Sequence, residues 1–234
     1  MLRSIIKKVP FAIRLYAVIR KIFNIDKDDG TQAGELKVIK KLLKKGGPKF
    51  LVDIGAHDGT TISNSSYFIK KGWRGILIEP APKPFHTLEK NYEKNGKVTC
   101  LNIACSNTDG YEDFFMGTDG ENSMLNTLCK DQNNWFDQAR SKDYIKVRVR
   151  RIQDILLEYG YPDDFSLLLI DTEGMDYEVL LGLDLKVFKP WVIVTEEYKW
   201  NPEKHHSKYK LLKDNNYELF GVVGCNSIWF KRVA

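Results

Sequence analysis

Residues 51–61, LVDIGAHDGTT, constrain the fold of this 234-residue chain more than any other stretch. The apolar start of this run follows Gly46, Gly47 and Pro48, and it predicts a buried strand. Gly55 and Gly59 then predict a tight turn into a helix, because glycine lets the backbone approach a ligand and a helix start offers unpaired amide donors. A strand, a glycine turn and a helix in this order are typical of α/β proteins that bind nucleotides.

A second apolar run ends in an acid at the position where nucleotide-binding α/β folds hold ribose. Residues 75–78, GILI, predict a strand, and Glu79 follows about 20 positions after the glycine turn. A dinucleotide fingerprint would need a glycine where this chain has His57. This difference disfavours a nicotinamide cofactor.

Acids also follow two later apolar runs. Residues 166–170, SLLLI, predict a strand buried on both faces, and Asp171 and Glu173 follow it. Residues 190–198 repeat the pattern and carry Glu196 and Glu197. Because parallel strands end at one edge of a sheet, we expect these acids to lie beside the glycine turn.

Four blocks of the sequence, in this order, resemble the FkbM family of S-adenosylmethionine-dependent methyltransferases. They are VDIGAHDGTT, then ILIEPAP followed by Phe85 and Asn91, then NIACSNTDG, then LLLIDTEGMDYEVLLG. The resemblance implies a class I, Rossmann-like α/β fold, with a seven-stranded, mostly parallel sheet, one antiparallel strand and helices on both faces. The implied S-adenosylmethionine contacts are Asp53, Gly55, His57 and Gly59 on the methionine side, Glu79 on the ribose, and Ala104 and Cys105 near the adenine.

The same resemblance implies that Asp171 and Glu173 face the methyl acceptor. We expect Asp171 to be a general base or to orient the acceptor. An alternative is that Asp171, Glu173 and Glu197 bind Mg²⁺, which prefers oxygen ligands. Structural roles also stay open, with Asp171 as a helix cap and Glu197 in a surface ion pair. His205 and His206 are weaker candidates, because a surface pair of histidines needs no functional explanation.

Charge divides the chain into residues 1–34, a basic amphipathic arm with its linker, and residues 35–234, a single domain. The chain carries a formal charge of +5, and the first 25 residues contribute +6, which leaves −1 on the rest. A body near neutrality disfavours a nucleic-acid partner. The arm has no apolar run long enough to span a bilayer. It either lies on an anionic membrane surface or packs over the domain.

Four cysteines without disulfide or zinc spacing fit a cytoplasmic protein, peripheral at the inner face of the membrane if the arm binds lipid. Further along the chain, the pattern predicts a helix over 60–71, a third strand over 98–104, and an excursion over 107–150. Within this excursion it predicts a short strand over 111–116, a polar loop region over 117–138 and a strand with one solvent-exposed face over 144–150. This excursion is either a wall of the substrate site or disordered.

The predicted activity is O-methylation of a sugar hydroxyl in a glycan, glycolipid or glycosylated metabolite, as in polysaccharide biosynthesis. The alternatives are a non-catalytic adaptor that keeps the fold and an NAD-dependent oxidoreductase.

Overall fold

A computed structural model describes residues 31, 33–117, 120, 123–129, 140–197 and 201–232. The described helices are α1 (Glu35–Leu42), α2 (Asn64–Lys70), α3 (Pro82–Tyr92), α4 (Ile152–Glu158), α5 (Asp176–Leu181) and α6 (Pro202–Asp214), and a 3₁₀ turn, Leu43–Lys45, extends α1. The strands are β1 (Phe50–Ile54), β2 (Arg74–Ile78), β3 (Val98–Leu101), β4 (Ala104–Cys105), β5 (Gly110–Gly117), β6 (Arg140–Arg150), β7 (Asp164–Ile170), β8 (Lys189–Glu196), β9 (Tyr217–Val223) and β10 (Asn226–Lys231).

Seven strands form one sheet in the order β3-β2-β1-β7-β8-β10-β9. The pairs from β3 to β8 are parallel, and β10 is antiparallel to both β8 and β9. Strand β1 lies at the point where the chain order reverses, with β2 on one side and β7 on the other. In sheets of this kind, ligands bind beyond the carboxyl ends of the strands at the reversal point. The predicted fold class is confirmed.

Both faces of the sheet are covered by helices, which explains the unbroken apolar runs of the central strands. Alternate side chains of one strand point to opposite faces. Leu51 and Leu169 therefore pack with α1, α2 and α3, whereas Val52 and Ile170 pack with α4, α5 and α6. All five residues of β1 are buried.

A smaller sheet, β4-β6-β5, stands beside the main one, and it corrects the predicted third strand. Strand β3 ends at Leu101, and Ala104 and Cys105 pair with β6 instead. The break lies at Asn102, whose side-chain amide donates to the carbonyl oxygens of Glu79 and Pro80. The excursion over 107–150 therefore contributes two long strands to an ordered sheet, with Phe114, Val147 and Val149 in its core.

Helix α2 begins at Asn64 rather than at residue 60. Asp58 accepts hydrogen bonds from the backbone amides of Thr60 and Thr61, at 2.8 and 2.7 Å, and closes a separate turn there. Ser63 then caps the helix by accepting from the Ser66 amide.

The basic arm, residues 1–25, lies outside the described part of the chain, and its role stays a prediction. None of the helices within the described ranges combines the length and the hydropathy that a membrane-spanning segment requires.

Candidate active site

The glycine turn after β1 is pressed against the end of β7. Gly55 has a φ of 86°, and a Cβ at this position would lie 1.8 Å from the carbonyl oxygen of Asp171. The Asp171 amide in turn donates to the Ile54 carbonyl at 2.9 Å. Gly55 is therefore required both for its backbone conformation and for the close approach of the two strand ends.

Gly59 has a packing role. Its φ is 71°, and a Cβ there would meet Leu88 and Tyr92 of α3 at about 2.5 Å. The Tyr92 hydroxyl donates to the Gly59 carbonyl at 2.7 Å, and the Asn91 amide donates to the Asp58 carbonyl at 2.9 Å. Helix α3 thus packs against the turn and binds it through two hydrogen bonds, and Gly59 does not line the cleft that the strand ends form.

Glu79, at the end of β2, connects the glycine turn to the start of α3. Its Oε2 accepts from the His57 amide at 2.9 Å and its Oε1 from the Ala81 amide at 2.8 Å. Desolvation raises the pKa of this buried carboxyl to about 7 despite these two hydrogen bonds, and the nearby charge of Asp53 adds to the rise. Each oxygen keeps a second lone pair, so Glu79 can still accept from a ligand hydroxyl.

His57 is held in a strained conformation beside Glu79. Its φ is 50°, in the region that non-glycine residues rarely adopt. Within the described part of the chain, neither of its buried ring nitrogens has a hydrogen-bond partner. Buried polar atoms are normally paired, so His57 is suited to meet a ligand in the cleft that it lines.

Asp171 emerges from β7 into the same cleft. Its side chain reaches solvent inside the cleft, yet it lies deep in the molecule among other acids. Desolvation, followed by the charges of Asp176 and Asp53, raises the pKa of Asp171 to about 7. Glu173 lies two residues further at a φ of 51° and lines the cleft as well.

Asp176 fixes the loop that carries these two acids. Its fully buried carboxylate accepts from the Thr172 amide at 3.1 Å and the Thr172 hydroxyl at 2.6 Å. The other oxygen accepts from the Glu196 amide at 2.7 Å, at the end of β8. One side chain therefore ties the ends of β7 and β8 together.

These strand ends form the floor of a single cleft, and the small sheet forms its outer wall. The empty space of the cleft is about 1280 Å³, including the part open to solvent. Phe114 of β5 and the segment 123–129 contribute to the wall. The residues that line the cleft include Asp53, Gly55, His57, Ile62, Glu79, Ala104, Cys105, Met124, Asp171, Glu173 and Asn226.

Comparison with known proteins decides the family. The family model described as the methyltransferase FkbM domain matches residues 53–219, which run from the end of β1 to β9. The chain belongs to the FkbM methyltransferase family. Its class of activity is therefore S-adenosylmethionine-dependent methyl transfer, as the sequence predicts.

Two known proteins are similar to this chain. The methyltransferase sdnD of Sordaria araneosa is 26% identical over 199 residues, which cover 73% of this chain and 74% of that protein. The crystal structure of an FkbM methyltransferase from Methylobacillus flagellatus superposes with a TM-score of 0.51 at 18% identity. That alignment covers 78% of this chain but spans only 43% of the solved one. At this identity it shows a shared fold.

The FkbM chain brings together most of the residues that the sequence singles out. The cleft is lined by Asp53, Gly55, His57, Glu79, Ala104 and Cys105, and also by Asp171 and Glu173. Burial raises the pKa of Asp53 to about 6 and that of the Cys105 thiol far above its usual value.

The prediction that Glu197 joins Asp171 and Glu173 is wrong. Its Oε2 accepts from the Tyr209 hydroxyl at 3.1 Å and lies 2.8 Å from Nε2 of His205, both on α6. Glu196 takes the predicted place, with a carboxylate oxygen within 4.8 Å of those of Asp171 and Glu173. Strand alternation is the reason, because neighbouring residues point to opposite faces of a sheet. His205 therefore has a structural partner in Glu197.

The sequence did not predict the residue that joins the outer wall of the cleft to the loop carrying Asp171 and Glu173, here called the acid loop. Thr127 is 1% exposed, and its hydroxyl lies 2.8 Å from the Glu173 carbonyl and 3.2 Å from the Thr172 carbonyl. It also accepts from the Cys129 amide. The Thr127 backbone exchanges two hydrogen bonds with Phe115 of β5. A threonine in a polar loop gives no sequence signal for such a link.

Replacing Thr127 with valine should therefore loosen the acid loop without changing the shape of the site. We expect a lower kcat and a higher KM for the acceptor, with an unchanged dissociation constant for S-adenosylmethionine, because Glu79 and the glycine turn are not contacted. The loss of these hydrogen bonds costs about 1–3 kcal/mol. Thr127→Ser keeps the hydroxyl and should retain the wild-type kinetic constants. If Thr127→Val had the same kinetic constants as the wild type, the proposed role of Thr127 in positioning the acid loop would be contradicted.

The carboxyls of the cleft also predict how the stability of the ligand-free protein depends on pH. Asp53, Glu79 and Asp171 have raised pKa values in the folded state, about 6, 7 and 7. Between the ordinary and the raised values the folded protein binds more protons than the unfolded chain, so the free energy of unfolding falls as pH rises towards 7. Denaturant titrations across this range should show the decline, and a shallower one in Glu79→Gln. An equal decline in the variant would contradict the contribution of Glu79.

Proposed function

We propose that this protein transfers the methyl group of S-adenosylmethionine to a hydroxyl of a sugar in a glycan, glycolipid or glycosylated metabolite. The observation that carries the proposal is the position of Asp171. Its carboxylate, with a pKa of about 7, faces the same cleft as the glycine turn and Glu79. A base that titrates near neutral pH is best suited to take a proton from a reacting group.

The hydrogen-bonding capacity of Glu79 and His57 supports a cofactor position beside them. Glu79 would accept from the ribose hydroxyls, and His57 would use its unpartnered ring nitrogens towards the methionine portion. Ala104 and Cys105, buried and uncharged, would flank the adenine. Nearby carboxylates would favour binding of the positively charged sulfonium, which becomes a neutral thioether on methyl transfer.

The acceptor end is rich in groups that recognise hydroxyls. Asp171 and Glu173 provide carboxylates that can accept from them. The acceptor oxygen would attack the methyl carbon as the carbon–sulfur bond breaks, which leaves S-adenosylhomocysteine. Asp171 would take the hydroxyl proton and release it to solvent. Alignment of oxygen, methyl and sulfur by the cleft supplies much of the acceleration in such a displacement.

The acids at the ends of β7 and β8 could also bind Mg²⁺. Asp171, Glu173 and Glu196 form the group of carboxylates that could surround a cation among the described residues. Such an ion would polarise the acceptor hydroxyl. Activity that survives exhaustive treatment with EDTA would exclude this role, whereas activity lost with EDTA and restored by Mg²⁺ would establish it.

We further propose that the basic arm holds the enzyme at an anionic membrane surface, where lipid-linked sugars are found. The proposal rests on six cations and no acid in residues 1–25. Cosedimentation with anionic vesicles should be lost in a chain that begins at residue 31. Equal binding by both chains would contradict it.

A panel of methyl glycosides tests the proposed function. Incubation with S-adenosylmethionine should add one methyl group to the oxygen of at least one sugar, detected by mass spectrometry and located by NMR. Methyl transfer to nitrogen, or binding of the cofactor without transfer to any sugar, would contradict the proposed acceptor. The second result would leave methyl transfer to an acceptor other than a sugar, or an adaptor that keeps the fold.

A further inference from the structure

Two large apolar side chains stand exposed at the mouth of the cleft. Ile62 is 51% exposed and Met124 is 48% exposed, and both line the cleft. Ile62 comes from the segment between β1 and α2, whereas Met124 comes from the wall segment that follows β5. Two separate parts of the chain therefore present nonpolar surface to one opening.

Ile62 is held in its exposed position by its neighbours on both sides. On the N-terminal side, Asp58 binds the amide of Thr61 at 2.7 Å and its hydroxyl at 2.6 Å. On the C-terminal side, Ser63 caps α2. The backbone between these two turns has a φ of 52°, a conformation that is unfavourable for a β-branched residue. Strain of this kind persists only where the surrounding structure imposes it, and it is concentrated at functional sites.

Met124 is also fixed by its surroundings. The Ser123 amide donates to the Gly120 carbonyl, and the Ser123 hydroxyl accepts from the Leu125 amide at 3.1 Å. Asn126 accepts from the Gly117 amide at 2.7 Å, which binds this turn to β5. The turn therefore presents Met124 to the cleft, and a flexible thioether side chain adapts well to nonpolar ligands.

We infer that Ile62 and Met124 form a nonpolar subsite for the acceptor. The inference rests on the proposed function and specifies its substrate class: an amphipathic molecule in which the sugar is attached to a nonpolar group. The sugar hydroxyl lies at the acid floor, beside Asp171, and the nonpolar group lies at the mouth. Burying the two exposed side chains against this group supplies binding free energy that a free sugar cannot supply.

The test compares three glycosides of the sugar that the enzyme methylates: methyl, octyl below its micellar concentration, and phenyl. The subsite predicts kcat/KM at least about tenfold higher for octyl or phenyl than for methyl, since each buried methylene contributes several-fold in affinity. A preference for octyl indicates a flexible lipid-like chain, and a preference for phenyl indicates a rigid ring as in a glycosylated metabolite.

Ile62→Asn and Met124→Gln should each reduce this preference about tenfold and leave the affinity for S-adenosylmethionine unchanged. Asparagine tolerates positive φ, so Ile62→Asn should also keep or raise the melting temperature, a result that a purely structural role would not give. Leu157→Gln is the matched control, because Leu157 is 67% exposed on α4 and does not line the cleft. It should retain the wild-type preference.

Two results would overturn the subsite. One is equal kcat/KM for the three glycosides, with methyl transfer to sugar intact, and the other is a variant that weakens the cofactor but keeps the preference. If no sugar is methylated, the proposed function has failed separately. NMR of labelled Ile62 and Met124 methyl groups then still decides the subsite, since octyl glycoside should shift both signals and methyl glycoside should not. Unshifted signals would refute it.

Discussion

Replacing Asp171 with asparagine should lower kcat by roughly 100-fold to 10,000-fold, which is the contribution of a positioned general base. Asparagine keeps the size of the side chain but cannot take a proton. The wild-type rate should rise with pH and level off above about 7, because Asp171 acts only after it has lost its proton. In the variant this rise should disappear. Initial rates across pH, with mass-spectrometric detection of the methylated sugar, measure both effects.

The dissociation constant of S-adenosylmethionine should not increase in Asp171→Asn, since the predicted cofactor contacts lie at Glu79 and His57. Asp113→Asn is a suitable control, because Asp113 pairs with Lys146 on the small sheet, outside the lining of the cleft. Its rate and pH profile should match those of the wild type. Retained turnover in Asp171→Asn would contradict the role of base, and a lost cofactor affinity would place Asp171 on the cofactor instead.

Replacing Glu79 with glutamine should weaken S-adenosylmethionine binding by between about tenfold and about a hundredfold. A hydrogen bond to a charged group contributes about 1.5–3 kcal/mol, and the amide would also direct its NH₂ at the amide of His57 or Ala81. The shift in melting temperature that the cofactor produces in the wild type should therefore shrink in the variant at equal cofactor concentration.

Glu112→Gln provides the matched control for this second prediction. Glu112 belongs to β5 and lies outside the lining of the cleft. It should retain the full thermal shift. An undiminished shift in Glu79→Gln would show that the ribose is bound elsewhere, and it would contradict the placement of the cofactor at the end of β2.

The main sheet could be predicted from sequence because its strands are buried on both faces. Such burial demands unbroken apolar runs, and each run ends where the chain turns polar. The glycine turn, Glu79 and the Asp171 loop follow these runs directly, so the topology alone brings them to one edge. The cofactor and the roles of these acids were predicted from the resemblance to the FkbM family.

Strands β5 and β6 of the smaller sheet were predicted from their sequence patterns, but strand β4 and the pairing of the three into a separate sheet could not be. Strand β4 has two residues, and its partner β6 lies more than 30 residues further along the chain, so local periodicity contains no signal for the pairing. The side chain of Asn102 that ends β3 acts through two long-range hydrogen bonds. For these reasons the strand predicted over 98–104 joined two separate elements.

Other details of the site depend on which face a side chain takes. Glu196 and Glu197 are chemically equivalent in sequence, and only strand register separates the one beside Asp171 and Glu173 from the one bound to α6. The register can nevertheless be inferred from the sequence. Val192 and Val194 pack on the same face of the sheet as Leu169, and Glu196 follows them at the same two-residue spacing. The role of Gly59, by contrast, could not be inferred from the sequence, because its close contact with Tyr92 depends on the tertiary packing of α3.

Isothermal titration of the wild-type protein with S-adenosylmethionine, and separately with NAD, tests the central claim most directly. The structure predicts saturable binding of one S-adenosylmethionine per chain and no binding of NAD, because His57 replaces the glycine that a dinucleotide fingerprint requires. Binding of NAD in place of S-adenosylmethionine, or of neither, would contradict the assignment of this cleft as the site of methyl transfer.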